Sequence, residues 1–369
     1  MSDIFKLVDS EQGASKDYIE FTPKDFEHDL KRQGCSLTLF VGAGFSMAWN
    51  EKYPNGNQLF AIDKKDIERY RKYSFVSLAE SFNLKWLSQD EGHELEKLAE
   101  VFCNLKFQID IYKKYPTLLP SYIDKSTIKH VEASVGLFVK DRLEGFVGKK
   151  ELSMNLDKRL PKSKKAIFKF FESLKERTSG LSFITTNYDL VLDRLIVNTG
   201  LEPQPIRGIF DESSFQSQNW CPKLQSCSLF KLNGGLEIYP IDNEFRVIYE
   251  NVSLNEKSPK VIVPSKEQSY TDNYFKSIFV KACNKLRDSN RLIFIGYSLP
   301  EEDHVIKFLL QSFVDTEVLD KEIYIIDHGL ENALKVKDKL VKLFPTLANN
   351  EAIKVFNGTF NEFCEYQNQ

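Results

Sequence analysis

Leu39-Phe40-Val41-Gly42-Ala43-Gly44-Phe45-Ser46 places a glycine turn directly behind an apolar run and in front of a helical stretch. Leu37 to Val41 reads as a buried strand, and the glycines allow a tight turn in which helix-start N–H groups can face a pyrophosphate. Phe183-Ile184-Thr185-Thr186-Asn187-Tyr188-Asp189 repeats the arrangement with polar residues: an apolar strand ends in Thr, Asn and Asp, side chains suited to face a ligand. Gly42-Ala43-Gly44 alone is equally compatible with a plain tight turn, because the third glycine of the usual dinucleotide fingerprint is missing. The two segments together point to the nucleotide pocket of an α/β fold.

Downstream, the pattern alternates. Strands are expected at Leu181–Thr185, Ser228–Leu232, Val261–Val263, Arg291–Ile295, Glu322–Ile326 and Ala352–Phe356, with a hairpin around Glu237–Tyr249. Helices are expected at Leu190–Val197, Asp272–Leu286, Glu302–Phe313 and Glu331–Leu343. Such alternation predicts a Rossmann-like parallel sheet with helices on both faces. Between the two glycine- and Asn-bearing segments lie more than one hundred residues of helical periodicity, read as a large inserted helical layer. The expected organisation is a lead-in helix in 1–34, an α/β domain in 35–62 and 180–369, and a helical subdomain in 63–179. Trp49 to Asn57 is polar and turn-rich, and is expected to form a mobile lid.

The chain has 369 residues, 42% of them hydrophobic, enough for a substantial core. Fifty basic and 53 acidic side chains give a formal charge of −3, so the composition offers no global case for nucleic acid or an acidic membrane. Six scattered cysteines (35, 103, 221, 227, 283 and 364) have no zinc-knuckle spacing, so free thiols and no zinc are expected. No secretion signal or run of roughly 18 apolar residues is present, and a soluble, cytoplasmic protein is expected.

Two further strand ends carry small or polar groups: Gly296-Tyr297-Ser298-Leu299-Pro300 and Asp327. An acidic residue at a late strand end suits ribose hydroxyls. Each residue also has a purely structural reading. Asn187 can cap the following helix, Asp189 can favour its dipole, and Asp327 can cap a helix starting near Leu330. His304, beside Asp303, reads as a packed or solvated residue.

Gly42-Ala43-Gly44-Phe45-Ser46, Thr185-Thr186-Asn187-Tyr188-Asp189, Lys231-Leu232-Asn233-Gly234 and Ile295-Gly296-Tyr297-Ser298-Leu299-Pro300, in that order, resemble the sirtuin-like (silent information regulator two-like) domains, and within them the zinc-free bacterial antiphage-defence branch. The resemblance covers roughly residues 35–65 and 180–360. It implies an NAD site in which Gly42, Ala43, Gly44, Phe45 and Ser46 lie against the phosphates, with Thr186, at the strand end that carries Asn187, also binding the cofactor. Asn187 and Asp189 would approach the nicotinamide ribose, Gly296, Tyr297 and Ser298 would border the cofactor, and Asp327 would lie near the adenosine ribose. It further implies hydrolysis of NAD to ADP-ribose and nicotinamide, homo-oligomers, and a HerA-type ATPase or another defence protein as partner.

One position departs from the family. His-Gly is usual where this chain has Asn233-Gly234, and none of the five histidines falls in that motif. An amide donates or accepts hydrogen bonds but takes up no proton near neutral pH, so Asn233 cannot be the general base. The expected catalytic set is therefore Asn187, Asp189 and Asn233, with Asn233 holding a ribose hydroxyl. The alternative is a regulatory subunit that binds NAD or ADP-ribose and gates a partner ATPase or nuclease.

Overall fold

The computed structural model describes residues 18–366 apart from 33, 158, 179, 201–226, 242–243, 251, 267, 269, 315–319 and 350. Cys221 and the first half of the lead-in segment lie outside the described residues. The described strands are β1 (Ile19–Glu20), β2 (Ser36–Val41), β3 (Gly180–Thr185), β4 (Ser228–Lys231), β5 (Ile238–Ile241), β6 (Glu244–Val247), β7 (Arg291–Ile295), β8 (Glu322–Ile326) and β9 (Ile353–Val355).

Seven of them form one sheet in the order β1-β9-β8-β7-β2-β3-β4, with every neighbouring pair parallel. The chain winds from β2 outward through β3 to β4, returns to the other side of β2, and winds the opposite way through β7, β8 and β9. Parallel crossovers are right-handed, so this reversal sends the two sets of helices to opposite faces. Helices Ala43–Trp49, Lys162–Arg177, Val191–Asn198 and Phe360–Tyr366 pack among themselves, while Asn273–Asp288 packs on His304–Gln311. The Rossmann-like architecture expected from the alternation is present.

Strand order reverses between β2 and β7, which makes their carboxyl ends the switch point where ligands of open α/β sheets settle. Register brings five strand ends level: Val41 pairs with Thr185 and with Ile295, Thr185 with Lys231, and Ile295 with Ile326. At the usual spacing between neighbouring strands this row is about 19 Å long. Everything the sequence marked as a site follows directly from one of these ends.

Every regular element described between β2 and β3 is a helix. Phe60, Phe75, Phe102 and Phe138 form its centre, with neighbouring ring centroids 5.0 to 5.7 Å apart. Helix Lys162–Arg177 covers the sheet instead, for Phe171 stacks on Phe183 of β3 at 5.6 Å.

Two expectations need correction. Val261–Val263 is not a sheet strand: Val261 makes an isolated antiparallel bridge to Gly234, and the Ile262 N–H donates to the Asn233 carbonyl, so β4 is the edge among the described strands. The 49–57 stretch is anchored and does not form a free lid. Trp49, Tyr53 and Pro54 are buried, the Tyr53 hydroxyl donates to the Glu151 carbonyl at 3.2 Å, and reciprocal Asn55–Gln58 bonds start the helix Gly56–Phe60. The helix in the lead-in segment spans Pro23–Leu30, with Thr22 and Asp25 closing a capping box. The short β1 before it had no legible signal. No described helix is long and apolar enough to cross a membrane.

Candidate functional site

Gly42 and Gly44 face the loop after β7 backbone to backbone. The Gly42 N–H donates to the Ile295 carbonyl at 3.0 Å, the Gly44 N–H to the Gly296 carbonyl at 2.9 Å, and the Gly296 N–H to the Ile326 carbonyl at 3.0 Å. A Cβ on Gly42 would lie 2.6 Å from the Gly296 oxygen, and one on Gly44 would lie 2.7 Å from the Gly296 Cα. The glycines are thus required by the contact between two loops at the switch point. That contact also uses donors that the sequence reading assigned to a phosphate. Gly44 and Phe45 N–H groups are taken by Gly296 and Gly42, leaving Ala43 as the helix-start N–H without an acceptor among the described residues. The Phe45 ring is fully buried between Phe171 and Phe360, 5.8 and 5.7 Å away, so this residue can meet a ligand through its backbone only.

Asn187 ties the end of β3 to this turn. Its Nδ2 donates to the Gly42 carbonyl at 2.8 Å and to Ser46 Oγ at 3.0 Å, while its backbone N–H is held by Thr185 Oγ1 at 3.0 Å. A carbonyl can only accept, so the Gly42 contact fixes the amide with Oδ1 as its remaining acceptor. Ser46 Oγ in turn donates to Asp189 Oδ2 at 2.8 Å, and Asp189 Oδ1 accepts the Val191 N–H at 2.9 Å, at the start of helix Val191–Asn198. Burial pushes the Asp189 carboxyl up; the Val191 N–H, Lys231 and Ser46 act in the opposite direction. Asp189 therefore reaches the site through Ser46, and Asn187 occupies the surface position. Thr186 is half-buried beside it. Tyr188 secures the segment, its hydroxyl donating to the Ile262 carbonyl at 2.8 Å and its ring meeting Phe60 edge-on.

Residues 181–344 match the SIR2-like domain. The SIR2-like region begins in β3 and ends past β8, so it holds Asn187, Asp189, Asn233, Gly296 and Asp327 but not the Gly42–Ser46 turn. Among solved structures, the chain is similar to a sirtuin studied for the structural basis of its substrate affinity, with 14% identity over 93% of this chain and 97% of that one and a TM-score of 0.43. It is also similar to a Sir2–p53 peptide–NAD+ complex, with 13% identity over 94% and 97% and a TM-score of 0.41. No curated protein sequence gives a significant match.

Within the SIR2-like region, Asn233 follows β4 and is 6% exposed. Its Oδ1 lies 2.9 Å from the Tyr270 hydroxyl, and its Nδ2 has no hydrogen-bond partner among the described residues. Gly234 beside it has φ +76°, and a Cβ there would fall 2.2 Å from the Lys260 carbonyl, so only glycine fits this turn.

The other strand ends are less uniform. Tyr297 is buried against Phe40, 4.6 Å between centroids, and its hydroxyl donates to Asp303 Oδ2 at 2.6 Å. Ser298 is exposed, and its carbonyl and that of Leu299 each accept Lys339 Nζ at 3.0 Å, which pins the loop. Asp327 is half-buried, and burial raises its carboxyl although the His328 N–H, 2.7 Å away, favours the charge. Helix Leu330–Leu343 starts after Gly329 without a side-chain cap, so Asp327 does not serve as one.

Beneath the site lies a group the sequence reading passed over. Lys231 Nζ, fully buried, donates to the Asp189 carbonyl at 2.7 Å, to Glu237 Oε2 at 2.9 Å and to Asp193 Oδ2 at 3.1 Å, with the Tyr249 hydroxyl 2.8 Å from Asp193 Oδ1. A lysine interrupting Ser228-Leu229-Phe230-Lys231-Leu232 was its only trace, because a buried ammonium requires partners. Among the described residues, the row of strand ends offers the Asn187 amide oxygen, the Asn233 amide, the Ala43 N–H and the Asp327 carboxyl. Such a set orients a polar ligand, and none of the five histidines bonds to Asn187, Asp189 or Asn233.

Proposed function

We propose that this protein binds NAD along the row of strand ends and hydrolyses it to ADP-ribose and nicotinamide, as an intracellular antiphage-defence effector. The supporting observation is the Asn187 amide, bonded to Gly42 and Ser46 at the switch point with Oδ1 left to accept, in a region that matches the SIR2-like domain. The Gly42–Ser46 turn, with its Ala43 N–H, would take the pyrophosphate. Asp327 would accept from the adenosine ribose, and Gly296, Tyr297, Ser298 and Thr186 would border the ligand.

In the reaction the glycosidic C–N bond breaks with its electron pair going to nicotinamide, a water oxygen bonds the anomeric carbon, and one proton leaves that water for solvent. The leaving group departs neutral from a cationic ring, so positioning and charge stabilisation carry much of the rate. Asn187 Oδ1 would orient the water, Asp189 would favour the developing positive charge through Ser46, and Asn233 Nδ2 would hold a ribose hydroxyl oxygen. Absence of a general base typically forfeits about 10²–10⁴-fold, so slow turnover is expected.

The Asn233 amide also favours a second reading: binding of NAD or ADP-ribose without turnover, as a regulatory subunit gating a HerA-type ATPase or a nuclease. Homo-oligomers and partner contacts through the helical layer belong to both readings. Nicotinamide release and NAD affinity, measured for the native chain, Asn187→Ala and Asn233→His, separate them. Release by the native chain that disappears in Asn187→Ala supports hydrolysis. Binding with no release from the native chain or from Asn233→His supports the regulatory reading, and unchanged affinity in Asn187→Ala overturns the placement of the pocket.

A further inference from the structure

Asn233 is the first member of a chain of side chains that crosses from the end of β4 to the end of β7. The Tyr270 hydroxyl lies 2.9 Å from Asn233 Oδ1 and 3.0 Å from Gln268 Oε1. The Gln268 amide also faces the Asp303 carboxyl, which accepts the Tyr297 hydroxyl. Asp303 is buried, and Tyr270 packs against Phe279 with ring centroids 4.5 Å apart.

The proton count of this chain is short by one. A carboxylate only accepts, so Gln268 must turn its NH2 to Asp303 and its oxygen to Tyr270. Tyr270 then faces two amide oxygens with a single O–H. It satisfies Asn233 Oδ1 and leaves Gln268 Oε1 without a proton, or it donates to Gln268 and accepts from an Asn233 amide turned by 180°. The first arrangement leaves Nδ2 of Asn233 as the group without a protein partner, and the second leaves Oδ1. The two therefore present opposite chemistry to a ligand: a pair of donors, or one acceptor. An amide link passes no proton without becoming an imidic acid, so the chain orients Asn233 and does not conduct protons from Asp303.

We propose that Tyr270 is a positioning residue whose hydroxyl decides which half of the Asn233 amide meets the ligand. This deepens the NAD reading, and its binding arm rests on that reading. A donor outward suits a ribose oxygen or the nicotinamide carbonyl. An acceptor outward suits a ribose hydroxyl proton or the nicotinamide NH2.

Two measurements on the full chain test it. In the ligand-free protein, the side-chain NH2 resonances of Asn233, assigned by their loss in Asn233→Ala, are expected to shift and broaden in Tyr270→Phe, while the backbone amides of Thr185 and Gly296 stay in place. Unchanged Asn233 side-chain resonances overturn the proposal whether or not NAD binds. The second measurement is a double-mutant cycle on NAD affinity. Loss of one oriented hydrogen bond predicts about five-fold weaker binding in Tyr270→Phe alone and under two-fold once Asn233 is already alanine. Equal losses in both backgrounds overturn the positioning role. Absence of NAD binding by the native chain overturns the proposed function instead, and the resonances then decide on Tyr270.

Discussion

Nδ2 of Asn187 lies 2.8 Å from the carbonyl oxygen of Gly42, joining the ends of two strands whose residues are 145 positions apart. The same nitrogen reaches Ser46 Oγ, which passes the contact to Asp189. Replacing Asn187 by Asp removes both donor contacts and sets a carboxylate against a carbonyl. A loss of about 1–3 kcal/mol of stability is expected from the unsatisfied partners, together with loss of NAD binding. Urea unfolding followed in parallel with NAD titration checks this; native stability and affinity in Asn187→Asp would remove the clamp from the account.

Gly296 tests the contact at the switch point. It has φ +59°, and an added Cβ would sit 2.4 Å from the Phe45 nitrogen and 2.5 Å from the Gly44 Cα. Backbone cannot yield as a flexible side chain can, so Gly296→Ala is expected to cost about 1–3 kcal/mol, as overpacked sites do. Gly56→Ala meets nothing within 4 Å and serves as the control. A thermal midpoint for Gly296→Ala equal to that of Gly56→Ala would contradict the close approach.

How far these relations could be read beforehand depends on their range in sequence. The alternation of strands and helices declared the parallel sheet, and Gly42, Asn187, Asn233, Gly296 and Asp327 each follow a strand end that register then brings level. Local signals sufficed because a strand followed by a polar turn is a local pattern. Hydrogen-bond competition is not local. That the Gly44 N–H would go to Gly296 and not to a ligand, or that Phe45 would turn into the core, depends on partners more than 120 positions away. Val261–Val263 looked like a strand because apolar residues pack in loops as well as in sheets. Lys231 and Tyr270 escaped notice because a single polar residue carries no period.

The lead-in helix predicts an acid-sensitive edge. Burial pushes the Asp29 carboxyl up, but the Tyr324 hydroxyl, Lys354 and Arg32 outweigh it and hold it below the ordinary aspartate value. A carboxyl depressed in the folded state stabilises fully above its unfolded pKa, and that contribution is lost as pH falls through the folded value. The stability gap between the native chain and Asp29→Asn should therefore be constant at neutral pH and narrow below about pH 4. Denaturant midpoints taken at several pH values check the sign; a gap that widens on acidification would refute it.

Lys231 places one ammonium between Asp193 and Glu237, all three fully buried, and also holds the Asp189 carbonyl. Lys231→Met leaves two carboxylates without their cation and is expected to destabilise by about 3–5 kcal/mol, the usual consequence of breaking a buried pair. Neutralising one of them as well, in Lys231→Met with Glu237→Gln, removes part of the uncompensated charge and should restore some of that loss. The Asp189 carbonyl still lacks its donor in the double variant. Folding should therefore recover more than NAD affinity does. Urea unfolding and NAD titration of both variants decide it: full recovery of affinity with stability would show that Lys231 serves the core alone.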